Sequence, residues 1–285
     1  MRRLALIFLL FLGLAVGWQI IGSRGYYSDI GANLVVVGDN GVAVVGVSKS
    51  EESLVWVDLP DRLKIDGYPA VSIWGLGEID GNSEGLVLES FGEDLGLWFQ
   101  VALKVNGETT VDNLLDRLLS LKRIKGLSWL DRYFLYKDIS GLTSRGIVLE
   151  TSLPGQVVDK IQDIDGYEWL ELNEAIFVWS IDLWPNIEVV NLGTRVEVIN
   201  VSETPGLARV RARQLESVGF RVVGVGVREG VKLRKSCLMR LSSEVVDKSG
   251  LLRKMGEKYL DCEVDIGGEA SDFNGEVVIF VDQSS

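Results

Sequence analysis

The chain contains no histidine. That absence removes Ser-His-Asp and Cys-His triads, histidine general bases and His-containing zinc sites. Cysteine is nearly as scarce: Cys237 and Cys262 are the only two in 285 residues, too few to build a zinc site alone. With five prolines and no low-complexity run, no flexible linker separates one part of the chain from another. Basic residues are also short, 29 Lys and Arg against 41 Asp and Glu, and the net charge of −12 argues against nucleic acid as a partner.

What is present describes a globular protein of one to three domains. Hydrophobic residues make up 47% and charged residues 25%, with 32 glycines. The charge is uneven: residues 191–258 carry 14 basic and 7 acidic side chains, whereas residues 259–285 carry 7 acidic and no basic ones. A locally basic module therefore sits inside an acidic protein.

Arg2 and Arg3 precede Leu4 to Ile21, a run without charge whose only strongly polar residue is Gln19. Its 18 residues approach the length of a spanning helix. The paired arginines put that end in the cytoplasm, and Trp18, Tyr26 and Tyr27 suit the far interface. Residues 1–25 fit either a retained single-pass anchor or a cleaved signal peptide, since Ala15-Val16-Gly17 supplies small residues at the right spacing. Both readings place the bulk of the chain outside the cytoplasm. There a disulfide between Cys237 and Cys262 is expected, two buried thiols being the other outcome.

The fold class expected is α/β: the N-terminal transmembrane helix, then two α/β domains. Leu34 to Val37, Val42 to Val47 and Leu54 to Val57 read as a meander of short strands, and Leu63 to Ile65 as a possible fourth. Ser83 is a candidate N-cap for a helix ending at Gly96, Trp98 to Val105 alternates as a strand, and Thr110 caps an amphipathic helix. Residues 151–192 form a structured connector, with short helices expected over Gln156 to Gly166 and Glu168 to Glu174, then an apolar strand over Ile176 to Leu183. Residues 193–285 form a strand-helix-strand-strand-helix-strand unit. In it Pro205 starts a helix that buries Leu207, Ala208, Ala212, Leu215 and Val218, and Gly219 stops it.

Several motif matches fail on chemistry. Gly81-Asn82-Ser83-Glu84-Gly85 fits a nucleophile elbow, yet no histidine completes the triad. Asp80, Asn82, Glu84 and Gly85 imitate a calcium loop, yet Phe91 stands where a bidentate Glu is needed. Gly75-Leu76-Gly77 lacks the third glycine of a dinucleotide loop, and no Walker A pattern occurs. The aromatic stretch Ser128 to Tyr136 reads as a helix that packs in the core; sugar or single-strand binding is the other use of such clusters.

Two stretches resemble one family. VEVINVSETPGLARVRARQLESVGF, residues 196–220, closely resembles the start of the LytR-CpsA-Psr C-terminal domain through Val198, Asn200, Pro205, Gly206, Leu207, Ala208, Gly219 and Phe220; Val201 replaces the glycine often found there, and Asp272 with the strand VVIFV fits the domain's end. GVAVVGVSKSEESLVWVDLPDRLKI, residues 41–65, and GNSEGLVLESFGEDLGLWFQVALKVNG, residues 81–107, resemble the family's catalytic core. That resemblance implies a domain over residues 33–150 related to enzymes that transfer lipid-pyrophosphate-linked glycopolymers to peptidoglycan, gripping the pyrophosphate with arginines. The family's Pro-Arg-Asp reads Pro60-Asp61-Arg62 here, and its Arg-Ser-Asp position reads Asp39-Asn40-Gly41. Asp61 and Arg62 are the remnant of the site, and a clamp needs several convergent cations.

The expectation is a membrane-anchored extracytoplasmic protein of the bacterial cell envelope, a non-catalytic binding or accessory module in glycopolymer attachment that needs no cofactor or metal. An active glycopolymer phosphotransferase is the rival. A membrane-tethered regulator of envelope gene expression is the third reading, for which Met1-Arg2-Arg3 leaves little room. Arg209, Arg213, Arg228, Lys232, Arg234 and Lys235 form the candidate basic face for peptidoglycan, an anionic glycopolymer or lipid phosphate.

Overall fold

A computed structural model describes Gly13 and residues 31–282, apart from 80, 185, 244, 246–248 and 268–273. Apart from Gly13, the apolar run at residues 4–21 lies outside the described residues, as do its flanking aromatics and Asp272. Among the described residues, no helix is long and apolar enough to cross a membrane.

The expected meander is present as β1 (Ala32–Val37), β2 (Val42–Ser48) and β3 (Ser53–Leu59), paired antiparallel in register. Two later strands complete this first sheet at its edges: β6 (Val101–Lys104) runs parallel to β1, and β7 (Val148–Ser152) parallel to β3. The central strands read as unbroken apolar runs because the sheet is covered on both faces. Val35, Val37, Val44 and Val57 face one core, with Phe91, Leu95 and Ile176. Leu34, Val36, Val45 and Trp56 face the other, with Leu114, Leu118, Leu135 and Ile139.

The first core is closed by α1 (Ile73–Ile79) and α2 (Ser83–Leu95). The second is closed by α3 (Val111–Leu119), whose N-cap Thr110 accepts from Asn113 N, and by α4 (Trp129–Ser144), which opens with a Ser128–Asp131 capping box. Two boundaries differ from expectation. Asn82, not Ser83, is the N-cap of α2, and Ser83 is buried as its first helical residue. The strand begins at Val101 rather than Trp98, because Trp98 turns away to pack on the C-terminal core.

The stretch after β7 reverses three expectations. Gln156 to Gly166 and Glu168 to Glu174 hold strands, β8 (Val158–Gln162) and β9 (Glu168–Leu172), and the apolar run is a helix, α5 (Ala175–Leu183). The cause of the first two is tertiary. β4 (Leu63–Ile65), paired with the short β5 (Tyr68–Pro69), leaves an edge on which β9 pairs in parallel, making a second sheet ordered β5-β4-β9-β8. An apolar run of nine residues is ambiguous by periodicity. Here Asn173 decides it, its Oδ1 accepting from Ala175 N at 3.0 Å and its carbonyl from Ile176 N at 3.1 Å.

The C-terminal unit follows a short α6 (Ile187–Leu192). Its strands are β10 (Arg195–Asn200), β11 (Arg221–Val227), β12 (Cys237–Leu241), β13 (Glu263–Ile266) and β14 (Val277–Val281), in the spatial order β11-β10-β14-β12-β13. α7 (Leu207–Val218) buries the five apolar residues expected of it. Gly219, at φ 111°, ends it in a left-handed cap that lets Phe220 N reach Leu215 O at 3.1 Å. α8 (Ser249–Lys254) continues into a π-helical turn, Met255–Tyr259. A disulfide joins Cys237 to Cys262 across a Cα separation of 4.5 Å and brackets α8.

Candidate functional site

The motif residue Asn200 shows why the loop before α7 has its sequence. Buried at the end of β10, it accepts from Ser202 N at 2.9 Å and Ser202 Oγ at 2.8 Å, and donates to Thr204 O at 2.7 Å. Those bonds hold the loop as a compact turn that delivers Pro205-Gly206 to the head of α7. The helix then runs between two surfaces. Its apolar side lies on the C-terminal sheet, and its other side packs against α2 and α5.

A cleft of about 450 Å³ opens along this seam. Glu89, Glu93, Trp98 and Gln100 line it from the first domain, and Thr204, Gly206, Arg211 and Gln214 from the second. Arg211 lies across it, with its guanidinium carbon 5.0 Å from the centre of the Trp98 ring and Nη1 donating to Gln214 Oε1 at 2.8 Å. Burial lowers the pKa of this guanidinium, and the carboxylates of Glu93 and Glu89 oppose that shift. Glu93 responds in the opposite sense: burial raises its pKa, Glu89 adds to the rise, and Arg211 lowers it. The cleft therefore holds one cation, Arg211, four carboxylates, Glu89, Glu93, Asp261 and Asp282, and two side-chain amides, Gln100 and Gln214, a set rich in acceptors and suited to hydrogen-bonding a polyhydroxylated ligand. The sequence hinted at it only through Arg211 and Gln214, two polar side chains three residues apart on an otherwise apolar helix stripe.

The expected basic face is divided. Arg213 is not on an open surface: its guanidinium carbon stacks 3.9 Å from the Phe177 ring of α5, and its Nη2 lies 4.0 Å from Glu174 Oε1. The opposite face of α7 is covered because α5, read from sequence as a strand, is the helix that packs there. Arg209, one turn away, is exposed. Arg228, Lys232, Arg234 and Lys235 belong to the β11–β12 loop, where Lys235 pairs with Asp261 at 2.8 Å and Arg234 Nη1 stands 3.9 Å from Glu263. Lys232 and Arg234 border a separate hollow of about 280 Å³ with Glu263 and Asp265.

Asp61 and Arg62 sit at an exposed turn after β3, with Arg62 placed 5.6 Å from the Tyr167 ring. Elsewhere in the first domain Arg117 and Arg132 lie close enough to act on each other, and most of their donors are spent on the main chain. Arg132 is buried and donates to Leu118 O at 2.9 and 2.6 Å, to Lys122 O at 3.2 Å and to Ser120 O. Arg117 donates to Lys104 O at 3.0 Å, Lys122 O at 3.1 Å, Arg123 O at 3.2 Å and Ser120 Oγ at 2.8 Å. Burial lowers both pKa values, and Arg117 lowers that of Arg132 further. Among the described residues no cluster of three His, Cys, Asp or Glu side chains has the spacing to hold a metal ion.

No family model and no curated protein matches the chain. Among solved structures it is similar to the Lin1025 protein of Listeria innocua, with 9% identity and a TM-score of 0.37 over 52% of this chain and 94% of that one. It is similar to TagT bound to LIIa-WTA, with 12% identity and a TM-score of 0.37 over 52% and 86% of the two chains. A third is the LytR-CPS2A-psr family protein YwtF (TagT) with bound octaprenyl pyrophosphate lipid, with 13% identity and a TM-score of 0.34 over 54% and 88%. The family named for that structure is the one that residues 41–65 and 196–220 resemble. Each likeness extends over about half of this chain.

Proposed function

We propose that this protein is a non-catalytic binding or accessory module of the bacterial cell envelope, held outside the cytoplasm by its N-terminal apolar run, and that it engages the glycan part of a cell-wall polymer. One observation carries the reading: Arg117 and Arg132, neighbouring guanidinium groups of the first domain, donate four hydrogen bonds each, seven of the eight to main-chain carbonyls and one to Ser120 Oγ. A pyrophosphate clamp needs cations with free donors converging on one point. Asp61 and Arg62 stand apart from them and supply no substitute. What the two domains share instead is the cleft of Arg211, Glu89 and Glu93, whose mixed donors and acceptors match sugar hydroxyls better than a dianion. The resemblance of residues 196–220 to a domain of envelope proteins supports the same assignment.

Retention of the purified full chain on peptidoglycan and on wall glycopolymer tests it. Binding is expected, with Glu89→Gln combined with Glu93→Gln reducing retention while the thermal unfolding midpoint is preserved or raised. Transfer of a labelled glycopolymer from its lipid pyrophosphate to peptidoglycan by the purified chain would overturn the non-catalytic assignment.

A further inference from the structure

The loop between α3 and α4 combines three features that rarely coincide on a water-facing surface. The first is charge. From Arg117 to Leu130 the chain carries Arg117, Lys122, Arg123 and Lys125 and no carboxylate, in a protein whose net charge is −12. The second is apolar exposure. Leu121, at the loop tip, is fully exposed at 103%, and Leu119 is half exposed. The third is the aromatic face of α4. Trp129, Tyr133 and Phe134 are each close to half exposed, although the opposite face of the same helix buries Leu135, Ile139 and Leu142. A helix apolar on both sides is ordinarily buried on both sides. Here Tyr133 and Phe134 meet each other edge to face, with ring centroids 5.8 Å apart, and stay about half open to solvent.

The loop is also rigidly presented. The guanidinium groups of Arg117 and Arg132 collect the carbonyls of Leu118, Ser120, Lys122 and Arg123, so four of its carbonyls are tied inward while Leu121 is fully exposed. Arg132 belongs to the second turn of α4, so the same bonds fasten the basic tip to the start of the aromatic face. A rigid tip avoids the entropy cost of ordering a loop on binding.

The geometry points to a membrane-docking surface: the α3–α4 loop and the outer face of the first turns of α4 rest on an anionic lipid bilayer. Leu121 enters the headgroup–acyl boundary, Trp129 and Tyr133 lie at headgroup level, and Lys122, Arg123 and Lys125 meet lipid phosphates. Tryptophan and tyrosine favour that depth because their rings are apolar with one polar atom. Each lysine or arginine near such a surface strengthens partitioning about fivefold. Glu78 and Asp116 border a hollow beside Leu121 and Lys122, and Glu84 acts on Arg117. The exposed Lys122, Arg123 and Lys125 at the tip therefore carry the attraction, while charges farther than about 8 Å away are screened at physiological salt. An apolar protein partner would match the aromatic face but leave Lys122, Arg123 and Lys125 without a counterpart. This contact is separate from the N-terminal run and would orient the body of the protein against the bilayer from which that run emerges.

The test uses the full chain in vesicles, with Leu121→Cys carrying an environment-sensitive fluorophore; the two native cysteines are closed in the disulfide. Ile164→Cys, at the fully exposed β8–β9 turn, is the reference position. In phosphatidylglycerol vesicles the label at 121 should shift to the blue and be quenched by spin-labelled lipid, while the label at 164 stays in water. Both signals should be lost in phosphatidylcholine vesicles, at high salt, and when Lys122, Arg123 and Lys125 are all changed to Glu. A label at 121 as wet as that at 164 in anionic vesicles would overturn the proposal. So would shielding that persists in lipid-free detergent and grows with protein concentration, because a second copy would then cover the face.

Discussion

The side-chain amide of Asn33 donates to the hydroxyl of Tyr259 at 3.0 Å, a buried bond that joins β1 to the π-helical turn after α8 across 226 residues. Asn33 also donates to Trp98 O at 3.1 Å, and its main-chain N–H donates to Gln100 Oε1 at 2.6 Å. One asparagine thus ties the first sheet, the strand beside the cleft and the C-terminal unit together. Tyr259→Phe removes the acceptor for one amide hydrogen, a loss of about 1 kcal/mol. For a protein this size that is a fall of roughly 2–4 °C in the unfolding midpoint. Scanning calorimetry checks it. If the bond couples the two domains, the variant also broadens or splits the transition; an unchanged single transition at the same midpoint would show that Tyr259 contributes packing alone.

Arg132→Lys is expected to be far more damaging than a surface Arg-to-Lys change. A lysine ammonium cannot reproduce a planar fork on three carbonyls, and it leaves at least one buried carbonyl unpaired. A destabilisation of about 2–4 kcal/mol follows from the charged hydrogen bonds lost. Denaturant titration measures it. Hydrogen exchange should show the amides of residues 118–123 opening more often, which a merely global loss of stability would not confine to that loop.

The first sheet was legible because its strands carry their own signal. Val42 to Val47 and Leu54 to Val57 are short, β-branched and bounded by turn residues, and both lie in strands where those signals put them. The end of α7 was legible through Gly219, whose backbone freedom acts locally; its start falls two residues later than Pro205 suggests, because Gly206 is the N-cap and Pro205 stands in the turn before it. The connector was not, because its local pattern is weak and its structure is set from outside. Val158–Gln162 and Glu168–Leu172 become strands only because β4, about a hundred residues earlier, offers an edge. That miss propagated into the candidate site. A reading of α5 as a strand gives no reason for Phe177 to meet Arg213, and so puts Arg213 with Arg209 on an open face. The cleft was invisible for a related reason: Glu89 and Glu93 are exposed helix residues even in the folded protein, and only their place beside α7 makes them part of a cleft.

Reduction of the Cys237–Cys262 disulfide, or replacement of both residues by alanine, should cost about 3–4 kcal/mol in the chain-entropy model for a loop of 25 residues. The bond closes the segment holding α8 and Tyr259, so the effect should reach the Asn33 contact. Unfolding with and without reductant gives the number. The double alanine variant and the reduced protein should agree, since both release the same loop; a reduced protein as stable as the oxidised one would mean that packing of Leu252 and Met255 already holds the segment.

Acid should stabilise this protein before it denatures it. Burial raises the pKa values of Glu93, Asp94 and Glu216, with Glu89 adding to the rise at Glu93 and Arg213 opposing it at Glu216. A carboxyl whose pKa is raised in the folded state holds its proton at a pH where the unfolded chain has lost it. Between the ordinary carboxylate value and the raised one, the native state then binds more protons, and stability falls as pH rises. Moving down from neutrality into that window therefore raises the unfolding midpoint, until the ordinary carboxylates begin to protonate. Glu93→Gln mimics the protonated form. It should raise the midpoint at neutral pH and shrink the gain on mild acidification, with Arg211 still facing Glu89. Midpoints measured across the mildly acidic range decide it: a stability that declines monotonically from neutral pH, with Glu93→Gln parallel to the unmodified protein, would mean that Glu93 is as well solvated at the cleft as it is in the unfolded chain.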